Sequence, residues 1–234
     1  LELDDARHYN AMDLPLMHAL RSNLANLEAS TASRVCSVTL QGAGAHFCSG
    51  GAAHSDAAMP QVAPASAVNL SVVVEDMSGC VTLLRDLSVP VLSVLHGKLT
   101  GGGVALALNT DWRVCTLAAK FNHGNLPRGL NPIGGYSQAF GVAIGSARAQ
   151  GMYSTDVRVD GGFASMLGLV DALASGTDTA RYCAWHTACV TFMQHSCLSH
   201  SDARLFSIEN VLHAACAVQH CNLGASMDPP TAQN

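Results

Sequence analysis

Apolar residues recur along this chain at two periods, and the alternation between them lays out a series of helices and strands. Leu14, Met17, Leu20, Leu24 and Leu27 fall on one face of a helix that Asp13 can cap. The continuous run Val35-Cys36-Ser37-Val38-Thr39-Leu40 then reads as a buried strand. The same order returns downstream. Val73, Val74, Met77, Val81 and Leu84 stand at helical spacing between Val68 and Leu87, and Val89-Pro90-Val91-Leu92-Ser93-Val94-Leu95 reads as the next strand. Trp112 to Leu117 continues the alternation as a strand. Ile133 to Ile144, Ala147 to Tyr153 and Gly162 to Leu167 read as helices, and Leu169 to Leu173 as a last short strand. Strands separated by helices need crossover connections, so the pattern predicts an α/β fold with a helical C-terminal region.

Two glycine clusters interrupt this pattern where strands stop. His46-Phe47-Cys48-Ser49-Gly50-Gly51 follows the first strand run, and Thr100-Gly101-Gly102-Gly103-Val104 follows the second. Glycine lets a backbone approach a ligand with no Cβ in the way. Gly101 to Gly103 also opens a short helical run, whose first amides favour negative charge. Two strand ends of this kind can present backbone amides to a single oxyanion.

Four segments resemble the crotonase (enoyl-CoA hydratase/isomerase) superfamily. They are Asn10-Ala11-Met12, Phe47-Cys48-Ser49-Gly50-Gly51, His96-Gly97-Lys98-Leu99-Thr100-Gly101-Gly102-Gly103 and Gly129-Leu130-Asn131-Pro132-Ile133-Gly134-Gly135, in that family's order. The resemblance implies a crotonase-like spiral of β-β-α turns, in which C-terminal helices pack into a homotrimer or a dimer of trimers. The apolar residues Ala184, Ala188, Val190, Phe192 and Met193 fit that expectation. The resemblance also assigns an oxyanion hole to the amides of Gly51 and Gly102, which would hold the carbonyl of an acyl thioester. It implies no resident cofactor, because CoA or phosphopantetheine enters as the carrier of an acyl-CoA or acyl-carrier-protein substrate.

The sequence departs from the hydratase branch at its acid/base positions. Where that branch carries two carboxylates, this chain has Ala105 and Asn125. Neither side chain can exchange a proton with water, so ordinary two-carboxylate hydration is not expected. Decarboxylation of a carboxylated acyl thioester needs no general base, because loss of carbon dioxide itself generates the enolate. It is the expected reaction, with a lyase-type proton donor drawn from His54, His123 and Lys98 in that order, and Asn125 polarising the thioester or a water. The Gly129 to Ser137 segment is also similar to the decarboxylating domains of polyketide β-branching pathways, although their catalytic lysine has no counterpart here. Alternatives are a hydratase/isomerase of unusual mechanism, a thioester hydrolase, and a non-catalytic acyl-binding scaffold.

Composition narrows the remaining classes. The chain has 234 residues, 49% of them hydrophobic, and a net charge of −5 with only 12 Lys plus Arg. No basic stripe suits nucleic acid or an anionic membrane. The first residues do not resemble a signal peptide and no apolar run reaches transmembrane length, so a cytoplasmic protein is expected. Nine cysteines lie in apolar runs at irregular spacing, which suits reduced core thiols. The Cys/His-rich stretch from Cys183 to Cys221 lacks the pairing that closes a tetrahedral site, so no metal is expected. Residues 1 to 221 are read as one domain, with its first strand largely missing and the whole expected to come from a larger polypeptide. Residues 222 to 234 are read as a tail or linker.

Overall fold

The computed structural model describes residues 1–30, 35, 37–51, 66–181 and 183–184. His54, the tail from residue 222, and the Cys/His-rich and apolar runs beyond Ala184 lie outside the described residues. The chain opens with a two-residue strand, β1 (Glu2–Leu3), and a 3-10 turn at Ala6–His8. Helix α1 (Leu14–Ser30) follows. Asp13 caps it, Oδ1 accepting the Leu16 amide at 2.9 Å. Met17, Leu20 and Leu24 are buried as the periodicity requires, whereas Leu14 is 37% exposed in the first turn.

Strand β2 (Val38–Gly42), helix α2 (Ser66–Asp86) and strand β3 (Val91–Leu95) come next. All five residues of β3 are buried. A continuous apolar run is what a central parallel strand covered on both faces demands. Strand β4 (Lys98–Thr100), helix α3 (Gly102–Leu108), strand β5 (Trp112–Thr116) and strand β6 (Lys120–Asn122) complete the middle of the chain. After a 3-10 turn at Leu126–Arg128 come α4 (Tyr136–Ile144), α5 (Ser146–Thr155), β7 (Val159–Asp160), α6 (Gly161–Leu167) and β8 (Ala172–Ala174).

One sheet runs in the order β1-β2-β3-β5-β8, entirely parallel, and a smaller one runs β4-β6-β7. Leaving β3, the chain turns at Gly97 (φ 60°) and enters the second sheet as β4; leaving β5 it does the same as β6. Each passage ends in a helix, α3 or α4, so the expected β-β-α turns are present as β3-β4-α3 and β5-β6-α4.

Several boundaries differ from the sequence reading, each for a local reason. Strand β2 starts at Val38 rather than Val35 and extends to Gly42, because Gln41 and Gly42 pair with β1. Strand β3 begins after Pro90, which has no amide for the ladder. Helix α4 begins at Tyr136 rather than Ile133, because Gly134 and Gly135 hold φ values of 62° and 69°. Strand β8 begins at Ala172 rather than Leu169, since the Leu169 amide still closes α6 on Ala164. Among the described residues, no helix is long and apolar enough to cross a membrane. Also among them, no group of three or more His, Cys, Asp or Glu is placed to hold a metal ion.

Two buried polar residues organise the ground beneath the glycine clusters. Asn10 is fully buried with φ 53°. Its Nδ2 donates to the carbonyls of Ala43, His46 and Phe47 at 2.9, 2.7 and 3.1 Å, while Oδ1 accepts the Asp5 amide at 2.9 Å. His123 is 2% exposed inside an aromatic cage, stacked on Tyr136 at 4.5 Å and meeting Tyr153 and Phe140 at 4.9 and 5.4 Å. Burial lowers its pKa below the usual 6.5, against an opposing pull from Asp156.

Replacing Asn10 by Ala removes a donor that three carbonyls share and places alanine in the left-handed region. Urea unfolding should show a loss of about 3 kcal/mol for Asn10→Ala, and a loss at least as large for Asn10→Asp, which cannot donate. Because the folded pKa of His123 lies below its unfolded value, the unfolded chain binds the extra proton first as pH falls through 6.5. Its stabilising contribution is therefore present above pH 6.5 and is lost on going below it toward the folded pKa. The midpoint of thermal unfolding should fall over that window in the parent protein, and less steeply in His123→Gln.

Candidate functional site

The two glycine clusters meet because Cys48 pairs with β4. The Cys48 amide donates to the Lys98 carbonyl at 3.4 Å, and the Cys48 carbonyl accepts the Thr100 amide at 3.3 Å. This bridge lays the segment ending in Gly50 and Gly51 beside the turn that starts α3. Gly50 has φ 91°, and a Cβ built there would strike the Thr100 carbonyl and lie 3.6 Å from the Gly102 nitrogen. A Cβ on Gly103 would strike the Cys48 carbonyl. No residue with a side chain fits either place.

Gly51 is exposed and forms a bridge with Met12, whose amide donates to the Gly50 carbonyl at 2.8 Å. Gly102 is the first residue of α3 and half-buried, with Gly101 as its cap at φ 51°. Among the described residues, the amides of Gly51 and Gly102 donate to no acceptor. Free backbone donors on two neighbouring segments are what a developing oxyanion needs. Met12 and Met77 back this spot: their Sδ and Cε atoms crowd the position that a Cβ on Gly102 would take. Met77 Cε also lies 3.9 Å from the corresponding position at Gly134. The wall behind the amides is therefore apolar and adaptable.

The two positions that the hydratase branch fills with carboxylates hold Ala105 and Asn125. Ala105 is 1% exposed within α3. Asn125 is 9% exposed, its Nδ2 donating to the Asn131 carbonyl at 3.1 Å and its Oδ1 turned toward Gly101. Its own carbonyl accepts the Arg128 and Leu130 amides at 3.0 Å each. Asn125 thus serves the turn as much as any ligand.

Of the proton-donor candidates, Lys98 and His123 fall among the described residues, in different surroundings. Lys98 is exposed, with Nζ 5.9 Å above the Tyr9 ring, while its amide donates to His46 Nδ1 at 3.2 Å. Burial, and then the charge of Lys98, hold His46 below the ordinary imidazole pKa. The His123 ring lies in its cage, where Nδ1 and the neighbouring Tyr136 hydroxyl are buried with no hydrogen-bond partner among the described residues. Burial pushes the Tyr136 phenol above its usual pKa. Cys48 sits directly under the site, but burial pushes its thiol up to about 12, so it does not supply a thiolate.

Sequence reasoning passed over one carboxylate that the fold brings to this corner. Asp156, at the end of α5, accepts the Gly124 amide at 2.5 Å and the Asn122 side-chain amide at 3.3 and 3.4 Å. Nothing in the sequence spacing pointed to it; an aspartate after a helix reads as a turn residue.

The family model for enoyl-CoA hydratase/isomerase matches residues 1–195. The "Probable enoyl-CoA hydratase echA12" of Mycobacterium leprae is 34% identical over 166 residues, which is 69% of this chain and 55% of that protein. The peroxisomal Delta(3,5)-Delta(2,4)-dienoyl-CoA isomerase of Arabidopsis thaliana is 28% identical over 169 residues, which is 70% of this chain and 60% of that one. The chain thus spans between 55% and 60% of the length of these relatives. Among solved structures, an enoyl-CoA hydratase from Bacillus anthracis superposes with a TM-score of 0.75 over 96% of this chain and 85% of its own. At 22% identity, that likeness speaks for the fold alone. By family model, relatives and architecture together, the chain belongs to the enoyl-CoA hydratase/isomerase family of the crotonase superfamily.

Proposed function

We propose that this chain binds an acyl-CoA thioester with its carbonyl oxygen on the amides of Gly51 and Gly102, and shifts a double bond by way of the enolate. The observation that carries this reading is the pair of adjacent free amides at two strand ends, backed by the apolar side chains of Met12 and Met77. Withdrawal of charge onto the carbonyl oxygen is what acidifies the α-carbon, and an oxyanion donor contributes about 3 kcal/mol to that step.

The missing carboxylates favour isomerisation over hydration within the family. Hydration needs an acid and a base that act together on a water, whereas a single group can take a proton from the α-carbon and return it further along the dienolate. His54 is our first candidate for that group, because its segment leaves Gly51 directly. The caged ring of His123 and the ammonium of Lys98 over Tyr9 are less suited to reach the same carbonyl. The hydratase and isomerase names of the similar proteins support double-bond chemistry over decarboxylation. Decarboxylation stays as the second reading, favoured by the absence of a carboxylate at Ala105 and Asn125 that would repel a carboxylated substrate.

Incubation with a 3-enoyl-CoA in deuterated water tests the proposal. Conversion to the 2-enoyl product with deuterium gained in the acyl chain is expected, while hydration of crotonyl-CoA should be roughly 1000-fold slower than in an enzyme with both carboxylates. Gly102→Pro should abolish the exchange. No exchange by the parent protein, together with release of carbon dioxide from a carboxylated acyl-CoA, would favour the second reading. His54→Ala should slow isomerisation by about 100-fold with thioester binding unchanged. Parent-like turnover in that variant would exclude His54 as the proton carrier.

A further inference from the structure

We infer that Asp156 is the positioning residue for the second oxyanion amide, acting through Asn122 and Thr100 on the Gly101–Gly102 turn. The inference rests on the reading of that turn as half of an oxyanion hole. Asp156 Oδ1 accepts the Gly124 amide at 2.5 Å, and both carboxylate oxygens face Asn122 Nδ2 at 3.3 and 3.4 Å. A carboxylate only accepts, so the Asn122 side chain must present its amide to Asp156 and its oxygen to the opposite side. That oxygen accepts the Thr100 hydroxyl at 2.7 Å. The Asn122 main-chain carbonyl accepts the Gly101 amide at 3.4 Å. One carboxylate thereby fixes both contacts that tie the end of β6 to the residues immediately before Gly102.

The surrounding geometry depends on the same anchor. Gly124 has φ 73°, and a Cβ there would strike the Thr100 methyl and lie 3.5 Å from the Gly101 nitrogen, so the 122–124 segment packs directly against the end of β4. Asp156 itself holds φ 48°, a left-handed conformation that costs a residue with a side chain about 1 kcal/mol or more. The conformation turns its carboxylate toward Gly124 and Asn122, while its amide caps α5 on the Met152 carbonyl at 3.0 Å. Replacing Asp156 by Ala removes two charge-assisted bonds and frees Asn122 to rotate its amide, which places an amino group where the Thr100 hydroxyl donates.

The test reads the carbonyl directly and does not need turnover. Butyryl-CoA labelled with carbon-13 at its carbonyl is bound to the full chain, and its carbonyl stretch is measured by isotope-edited infrared spectroscopy. The parent should lower that stretch relative to free butyryl-CoA. Asp156→Ala should return it at least halfway to the free value while the dissociation constant changes by less than about threefold, and Asp156→Asn should fall between the two. Asn122→Ala should give the same return, and the double variant no more, because both act on one chain of bonds. Amide hydrogen exchange without ligand provides the second measurement: the Gly101 amide, bonded to the Asn122 carbonyl, should exchange about tenfold faster in Asp156→Ala, with the global unfolding midpoint of the folded variant still above the assay temperature. A parent-like carbonyl band in Asp156→Ala would overturn the positioning role even if exchange is faster. An unshifted band in the parent would overturn the oxyanion reading beneath it.

Discussion

The two backbone hydrogen bonds that Cys48 makes to β4 are the constraint on which the site depends. They join the end of one strand passage to the start of the next, and they leave no room for side chains at Gly50 and Gly103. The glycines follow from that approach. Once the backbones are this close, the segment ending in Gly51 runs beside Gly102, whose amide, at the first turn of α3, has no intrahelical acceptor. The cysteine at the crossing is an apolar filler with a silent thiol, which suits a position whose task is carried by its main chain.

Each half of this arrangement is held from outside by a polar residue in a disfavoured conformation. Among the described residues, the non-glycine positions with positive φ are Tyr9, Asn10 and Asp156. Asn10 fixes the Ala43 to Phe47 turn that feeds the first amide, and Asp156 grips the segment that feeds the second. Strain of this kind persists only where surrounding interactions outweigh it, and both residues make several hydrogen bonds that a relaxed backbone would forfeit. Local strain and the geometry of the amides are thus parts of one structure.

The fold and the side chains it carries are constrained differently. The backbone crossing depends on Gly50 and Gly103, where a side chain would meet main-chain atoms of Thr100 or Cys48. Side chains on such a backbone can differ with the fold intact, and Ala105 and Asn125 stand where the hydratase branch carries carboxylates. His123 shows the reverse case. Its place in the chain suggests a ligand-facing imidazole, yet the ring packs among Tyr136, Phe140 and Tyr153.

The sequence by itself determined the long helices, the buried parallel strands and the two glycine clusters, because each leaves a period or a turn residue that local physics can read. Even there its boundaries moved where a proline, a pair of left-handed glycines or a partner strand decided the end. The second sheet left no such trace, since β4, β6 and β7 are two or three residues long and carry an exposed Lys98, Lys120 and Asp160. Tertiary structure alone decided that the His123 ring, just after β6, would pack into the aromatic cage, that Asn125 would serve its own turn, and that Asp156 would reach Gly124 across 32 positions of chain. Contacts between distant segments have no period, so they exist only once the spiral has closed and brought the end of α5 against β6.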